Sequence, residues 1–292
     1  MAKEPPQYPY GVRLTVAYDG TDFHGWQAQP RVRTVQETIE GAIDALGVGH
    51  SRVRGCSRTD AGVHALGQVA ACGVDQELPL TAWTVGLNGL LPEDVVVTSA
   101  GFVDRRYDPR HDSQHKLYRY LIRGGHVRDP STRRIAWHLG GRMGRRDLPR
   151  GEDGHVLRRP TIEDYLDLDR MRDAASRLVG EHDFHAFRAM SDDREQTVRK
   201  MHSIEILPGF GGRADSLAIE IRGNAFMKNM VRIFAGTLVD VGRGRTEPEH
   251  MDWLLSDQGS RHQSGPTAPA HGLTLVEIVL GRGDHKKAAV KS

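Results

Sequence analysis

The feature of this sequence that most constrains its fold is one order of predicted elements that occurs twice along 292 residues. The first half opens with a strand at 11–18, where apolar and polar residues alternate. A helix follows, since Thr34 and Glu37 have the spacing of a capping box and an apolar stripe comes after them. The other elements predicted here are strands at 52–57 and 66–72, a weaker helix at 80–90 and a strand at 94–102.

The second half follows the same order. The heptapeptide KLYRYLI predicts a strand with Tyr118, Tyr120 and Ile122 on one face. Residues 167–179 predict an amphipathic helix that ends before Gly180. The remaining predicted elements are strands at 202–207 and 216–222, a helix over NAFMKNMVRIFAGTLVDVG at 224–242, and a strand at 272–280. Both halves therefore have the order β-α-β-β-α-β.

Two such units in succession predict an α+β fold of two ferredoxin-like halves, each an antiparallel sheet with helices on one face. We expect an active-site cleft between the halves. The predicted segments are an N-terminal extension at 1–10, a first half at 11–110, a second half at 111–282 and a C-terminal tail at 283–292. Residues 140–160, rich in Arg, Gly and Pro, predict an exposed basic loop inserted in the second half.

The composition is that of a globular protein, with 38% hydrophobic and 27% charged residues. No apolar run is long enough to cross a bilayer, and the first residues lack the features of a secretory signal, so we expect a cytoplasmic protein without a membrane partner. The net charge is only +2, but residues 104–150 hold thirteen Lys or Arg against five acids. A basic zone of this kind suggests a polyanionic partner such as nucleic acid, and a solvated face is the alternative.

Several side chains could carry chemistry, and each also has an ordinary structural interpretation. Asp60 lies on a loop between two predicted strands, where Asp-Ala-Gly is also good turn chemistry. Lys228 and Arg232 project from the predicted helix opposite its apolar face, so they lie either in solvent or along a cleft. Tyr118 is either a core residue or a platform on which a base stacks.

The histidines and cysteines are candidates for other kinds of site. His182 and His185 invite a metal site, and with nearby acids a metal-dependent hydrolase, but their spacing lacks a third ligand close by. The two cysteines show no metal-ligand spacing, and the sequence contains neither of the two common glycine-rich phosphate-loop motifs. We therefore expect no metal and no nucleotide-driven chemistry.

An ordered series of motifs resembles the TruA family of tRNA pseudouridine synthases. The motifs run from LTVAYDGTDFHGWQAQ through RTDAGVHALGQV, GLNGLLPEDV, HKLYRYLI, LVGEHDFHAF and NAFMKNMVRIFAGTLVDVG to GLTLVEIV. The resemblance implies two ferredoxin-like halves with the active site between them, a homodimer that binds tRNA, and no cofactor or catalytic metal. It implies an isomerase acting on uridines of the anticodon stem-loop, at the tRNA positions conventionally numbered 38, 39 and 40.

The resemblance also implies roles for individual residues. Asp60 matches the catalytic aspartate, and Arg58 is expected to hold the RNA with the target nucleotide flipped out. Tyr118 is expected to stack on the uracil, and Arg232 to pair with Asp60. The aspartate would act as a nucleophile at C1′ or as a base toward the ribose in a glycal route, and either role requires it ionised, which a nearby arginine favours.

Substrate binding is expected from a second group of residues. By resemblance Leu273 and Leu275 form an apolar wall beneath the base, and Lys228 and Arg110 are candidates for contacts with RNA. Ser57, Pro109, Arg110 and the basic insertion depart from the family's usual pattern, which leaves the choice of uridines open. A catalytically silent tRNA-binding protein on the same scaffold remains an alternative at this point, as does the metal-dependent hydrolase.

Overall fold

The computed structural model describes residues 8–125, 127–140 and 160–281. Contacts divide the chain into two compact units. The first contains residues up to Lys116 and the segment from Leu275, and the second runs from Leu117 to Thr274. These bounds differ from the predicted halves, because residues 111–116 and most of the last strand belong to the first unit. Most of the basic insertion, residues 141–159, lies outside the described residues.

The first unit contains most of the elements expected for the first half. They are β1 (Tyr10–Tyr18), α1 (Val35–Ala45), β2 (Arg54–Gly55), β3 (His64–Val74), a π-helical turn (Ala82–Gly86), β4 (Val95–Val103) and α2 (Pro109–Asp112). Thr34 caps α1, as predicted: its hydroxyl accepts from the Glu37 N–H at 3.4 Å and donates to the Glu37 carboxylate at 2.7 Å. The strands at 11–18 and 94–102 are confirmed as well. The short helix α2 was not predicted.

The second unit follows the predicted order with additions. Its elements are β5 (Ser113–Arg123, beginning in the first unit), β6 (Trp137–His138), α3 (Leu168–Arg177), β7 (Gly180–Asp183), β8 (Val198–Pro208), β9 (Ser216–Gly223), α4 (Met230–Gly242) and α5 (His250–Leu254). The chain closes with β10 (Leu273–Leu280). The predictions of α3, β8, β9 and β10 are confirmed, whereas β6, β7 and α5 were missed.

In the first unit the strand order is β4-β1-β3-β10, and β1 is antiparallel to both β3 and β4. Val12, Leu14 and Val16 alternate along β1 and are fully buried, as the period of two predicts. Gly67 allows the close approach of β10, because a Cβ there would lie 2.6 Å from the carbonyl oxygen of Val276. This close packing holds the last strand against β3.

In the second unit the strand order is β5-β9-β8-β7, with antiparallel pairing of β7 with β8 and of β8 with β9. Tyr120 and Ile122 of β5 are fully buried. Phe184, Phe187 and Phe234 form an edge-to-face cluster with ring centroids 4.8–6.1 Å apart. The protein is therefore a mixed α+β fold with mostly antiparallel strand pairing, as expected, and the described residues include no helix long and apolar enough to cross a membrane.

The predicted helix at 224–242 is wrong in its first six residues, because α4 begins at Met230. Asn229 has a left-handed backbone (φ 61°), which interrupts any helical run before it. The Lys228 backbone N–H donates to Asp192 Oδ2 at 2.9 Å. A carboxylate from a distant part of the sequence thus takes up an N–H group that the predicted helix needs for its own backbone hydrogen bonds. Lys228 therefore lies before the helix and not on it.

Candidate active site

The loop between β2 and β3 carries Asp60 in a tight turn. The Val63 N–H donates to the Asp60 carbonyl at 3.1 Å, and Gly62 has a φ of 78°. This is the turn that the Asp-Ala-Gly sequence predicts. The side chain of Asp60 is half-buried, and Arg58, two residues earlier, is exposed.

Thr59, between Arg58 and Asp60, is held from two directions. Its hydroxyl lies 2.8 Å from the Tyr18 hydroxyl at the end of β1, and its carbonyl accepts from the Trp26 N–H at 3.1 Å. Burial raises the pKa of Tyr18 to about 12, so this phenol stays neutral at physiological pH. The residue immediately before Asp60 is therefore fixed by both its side chain and its backbone.

Ser57, immediately before Arg58, is held by the fully buried side chain of Gln68 on β3. The Ser57 N–H donates to Gln68 Oε1 at 3.1 Å, and Gln68 Nε2 donates to the Ser57 carbonyl at 2.5 Å. The same Nε2 lies 3.5 Å from the Tyr18 hydroxyl. One carboxamide thus pairs with both backbone groups of Ser57, as a neighbouring strand would. We call Gln68 and Tyr18 the loop clamp.

A glycine-containing segment packs against the other side of this loop. The Gly62 N–H donates to the Phe23 carbonyl at 3.2 Å. A Cβ at Gly20 would lie 2.1 Å from the Val63 carbonyl oxygen, and one at Gly25 would lie 2.7 Å from that of Thr59. Side chains at these two positions would push the loop away, so the glycines set where Asp60 lies.

In the second unit, Tyr118 is part of a buried face of β5. Its ring is 6% exposed and meets the ring of Phe226 edge to face, with centroids 5.1 Å apart. Tyr120, on the same face, donates its hydroxyl to the Pro269 carbonyl at 2.7 Å. The prediction that these two tyrosines share a face is confirmed by their burial.

Arg232 lies in the first turn of α4 and is half-buried. Its Nε donates to the Ala268 carbonyl at 2.7 Å, and an Nη donates to Asn229 Oδ1 at 2.8 Å. The Ala268 N–H in turn donates to the Arg232 carbonyl at 3.1 Å. The guanidinium is therefore oriented by two acceptors, which a residue on a simple solvated face does not require.

The residues expected to bind substrate differ in their surroundings. Leu273 and Leu275 are buried at the start of β10. Lys228 is exposed, and its ammonium donates to Ser191 Oγ at 3.1 Å. Arg110 is exposed and pairs with Asp108 at 2.6 Å, and its hydrogen bonds lower the pKa of Asp108 to about 2. The structure brings Asp60, Arg58 and Arg110 into the first unit, and Tyr118, Arg232 and Lys228 into the second.

The two histidines proposed as metal ligands make other bonds. Nε2 of His182 lies 3.0 Å from the Val179 carbonyl, and Nε2 of His185 lies 2.8 Å from that of Gly259. Over the described ranges, no three His, Cys, Asp or Glu side chains are grouped as a metal would require.

Sequence reasoning missed the loop clamp. Gln68 lies in β3, where it and all the residues after it are buried. A polar side chain at a buried position of a strand signals a buried hydrogen-bonding partner. Nothing in the sequence indicates that the partner is the backbone of Ser57.

Comparisons of the sequence with a family model and with curated proteins agree on one family. The model described as "tRNA pseudouridine synthase" matches residues 14–111 and 174–279. A protein of Geotalea uraniireducens named tRNA pseudouridine synthase A is 40% identical over 267 residues, covering 91% of this chain and 98% of its own length. Proteins of the same name from Geobacter sulfurreducens (39% over 267 residues, 91% and 98%) and Myxococcus xanthus (38% over 272 residues, 93% and 92%) are also similar.

Among solved structures, a chain of a Cbf5-Nop10-Gar1 complex aligns at 12% identity with a TM-score of 0.34, over 91% of this chain and 49% of that one. A likeness of this size carries no argument.

Proposed function

This chain belongs to the tRNA pseudouridine synthase family, and we propose that Asp60, Arg58, Tyr118 and Arg232 carry out the reaction on uridines of the anticodon stem-loop. The enzyme isomerises uridine in tRNA to pseudouridine. The N1–C1′ bond breaks, the uracil turns and C5 joins C1′, while C5 loses its proton and N1 gains one. The target base must leave its stack before protein groups can reach these atoms.

Asp60 is the proposed nucleophile or base. The observation that carries this assignment is that its loop is fixed on both sides of the carboxylate, at Ser57 and Thr59 before it and at Gly62 after it. A group held in this way loses little freedom when it meets the substrate, which is what a preorganised catalytic group requires. Arg58, exposed between two anchored residues, suits contact with the RNA backbone.

Arg232 is proposed to keep Asp60 ionised. A guanidinium near a carboxylate lowers its pKa, and both proposed routes, through a nucleophilic attack or through a glycal, need the anion. Support comes from the two acceptors that orient Arg232 through its Nε and one Nη.

Tyr118, Leu273 and Leu275 are proposed to enclose the uracil while it is detached from the ribose. Their support is burial, since all three residues are at most 6% exposed and supply apolar surface. An aromatic face and an aliphatic wall would retain a neutral base by stacking and by exclusion of water. Lys228 and Arg110 are proposed to contact phosphates. We further propose a homodimer acting in the cytoplasm.

The test replaces Asp60 with Asn and follows release of tritium from tRNA labelled at uridine C5. We expect release to be abolished and tRNA binding to be retained, because the amide preserves shape but cannot act as the anion. The exposed Glu77→Gln variant removes a carboxylate from the same unit and should turn over as the wild type does. Wild-type rates from the Asp60 variant would refute the assignment. Mapping pseudouridines in transcripts with single stem-loop uridines changed to cytidine tests the choice of site.

A further inference from the structure

A cavity of about 530 Å³ in the second unit has no role in the mechanism above. It is lined by residues 189–191, by Asn229 at the start of α4, and by the segment from Arg261 to Thr267 without Gln263. Its volume is within the range of small-molecule sites. The polar lining consists of hydroxyls, an amide, an imidazole and one guanidinium, and no lining residue is an acid.

Arg261 supplies the charge of this cavity. Its Nη atoms donate to Ser264 Oγ at 2.9 Å, to the Gly265 carbonyl at 3.0 Å and to Thr267 Oγ1 at 2.8 Å. All three acceptors are neutral, and the ion pairs of the described residues do not include Arg261. A guanidinium has five donors, so two remain after these bonds. Partial burial without an opposite charge also lowers the pKa of Arg261.

A second cation lies at the edge of the cavity. Ser191 is one of the lining residues, and its hydroxyl accepts from the ammonium of the exposed Lys228 at 3.1 Å. Two cations and several hydroxyl and amide groups without a carboxylate favour an anion that accepts hydrogen bonds. An oxyanion of phosphate type meets both conditions, because arginine binds it through two parallel donors.

The cavity adjoins the residues that orient Arg232. Asn229 lines the cavity and also accepts a bond from Arg232, and Ala268, which accepts a second one, directly follows the lining residue Thr267. A ligand bound here would therefore contact Asn229, whose side chain helps to orient the proposed catalytic arginine, and the residue next to Ala268. In an enzyme that acts on tRNA, a phosphate-type group that binds beside the proposed catalytic arginine belongs to the RNA strand that carries the target uridine.

We propose that this cavity binds a phosphodiester group of the tRNA strand. The proposal rests on tRNA being the substrate, as stated above. The remaining donors of Arg261 bind the phosphate oxygens, Lys228 adds attraction at the edge, and the neighbouring hydroxyls complete the contacts. The contact positions the strand without reading its sequence, because every nucleotide presents the same phosphate.

The test adds one negative charge at each of two exposed neighbours. His262→Glu places a carboxylate in the cavity lining, whereas Gln263→Glu adds the same charge one residue away, outside the lining, and keeps the Oε1 that accepts from Ser260. tRNA affinity is measured over a series of salt concentrations. We expect His262→Glu to weaken binding far more, and to reduce the slope of log affinity against log salt by about 0.7–0.9 for one lost phosphate contact.

Two further measurements keep the outcomes distinct. Ser191→Asp, on a different segment of the lining, should reproduce the effect of His262→Glu. Thermal midpoints equal to wild type would show that the variants fold. Equal affinities and slopes for His262→Glu and Gln263→Glu would overturn the phosphate site. Failure of the proposed catalytic function would be seen elsewhere, as undiminished turnover by the Asp60→Asn variant.

Discussion

At the scale of single residues, the position of the Asp60 carboxylate depends on side chains that do not touch the substrate in the proposed mechanism. Gln68 holds Ser57 through two backbone bonds, and Tyr18 holds the hydroxyl of Thr59. The loop clamp leaves Arg58 and Asp60 as the residues whose side chains can meet RNA. Its members are therefore positioning residues, and their loss should change turnover more than binding.

We expect Gln68→Ala to lower kcat while leaving KM for tRNA close to wild type. The Ser57 peptide loses both partners, at a cost in stability of about 1–3 kcal/mol. Gln36→Ala is a matched control, because Gln36 is also a buried glutamine of the first unit that bonds a loop N–H, that of Ala28. Steady-state kinetics give kcat and KM for both variants, and urea unfolding gives their stability. If the two lose kcat equally for equal losses of stability, the clamp has no positioning role.

Tyr18 gives a prediction about pH. Burial raises its pKa to about 12 from an ordinary value near 10, so its neutral form stabilises the folded state below pH 10. That contribution is lost as pH rises from about 10 toward 12. We expect the free energy of unfolding of wild type to fall more steeply over this interval than that of Tyr18→Phe. Parallel pH profiles for the two proteins would contradict this account.

At the scale of elements, the start of α4 couples a backbone conformation to the orientation of Arg232. Asn229 is left-handed, a conformation that costs a residue such as alanine about 1–2 kcal/mol, and its side chain accepts from Arg232. We expect Asn229→Ala to lose both stability and kcat, and Asn229→Gly to keep stability but lose kcat. Asn229→Asp should retain most of both. Full activity in the glycine variant would show that the bond to Arg232 is dispensable.

A comparison of α1 with α4 shows which helix starts a sequence can predict. The start of α1 was predicted because its signals are local, with Thr34 and Glu37 bonding each other across three residues. The start of α4 was not, because the N–H of Lys228 bonds Asp192, which is 36 positions away. Likewise the residues of β7 do not alternate between apolar and polar, and this strand forms because it pairs with β8. Within the candidate site, the turn at Asp60 was predictable and the clamp that holds it was not, for the same reason.

At the scale of the whole molecule, the uneven charge predicts how tRNA binding responds to salt. The chain has a net charge of +2, yet residues 140–160 contain six arginines and three acids. We expect deletion of this insertion to weaken tRNA binding and to flatten its dependence on salt, because fewer counterions are released. Replacing the six arginines with lysines keeps the charge and should keep the slope. An unchanged slope after the deletion would exclude phosphate contacts there.

The path of the chain through its two units has a consequence for biosynthesis. The first unit obtains most of β10, the partner of β3, from residues that the ribosome makes after the second unit. The second unit can therefore close during translation, while β3 keeps an unpaired edge until residues 275–280 have been made. Chains that stop after Thr274 should accumulate as aggregates through that edge. Proteolysis of stalled nascent chains should show protection of the second unit before the first.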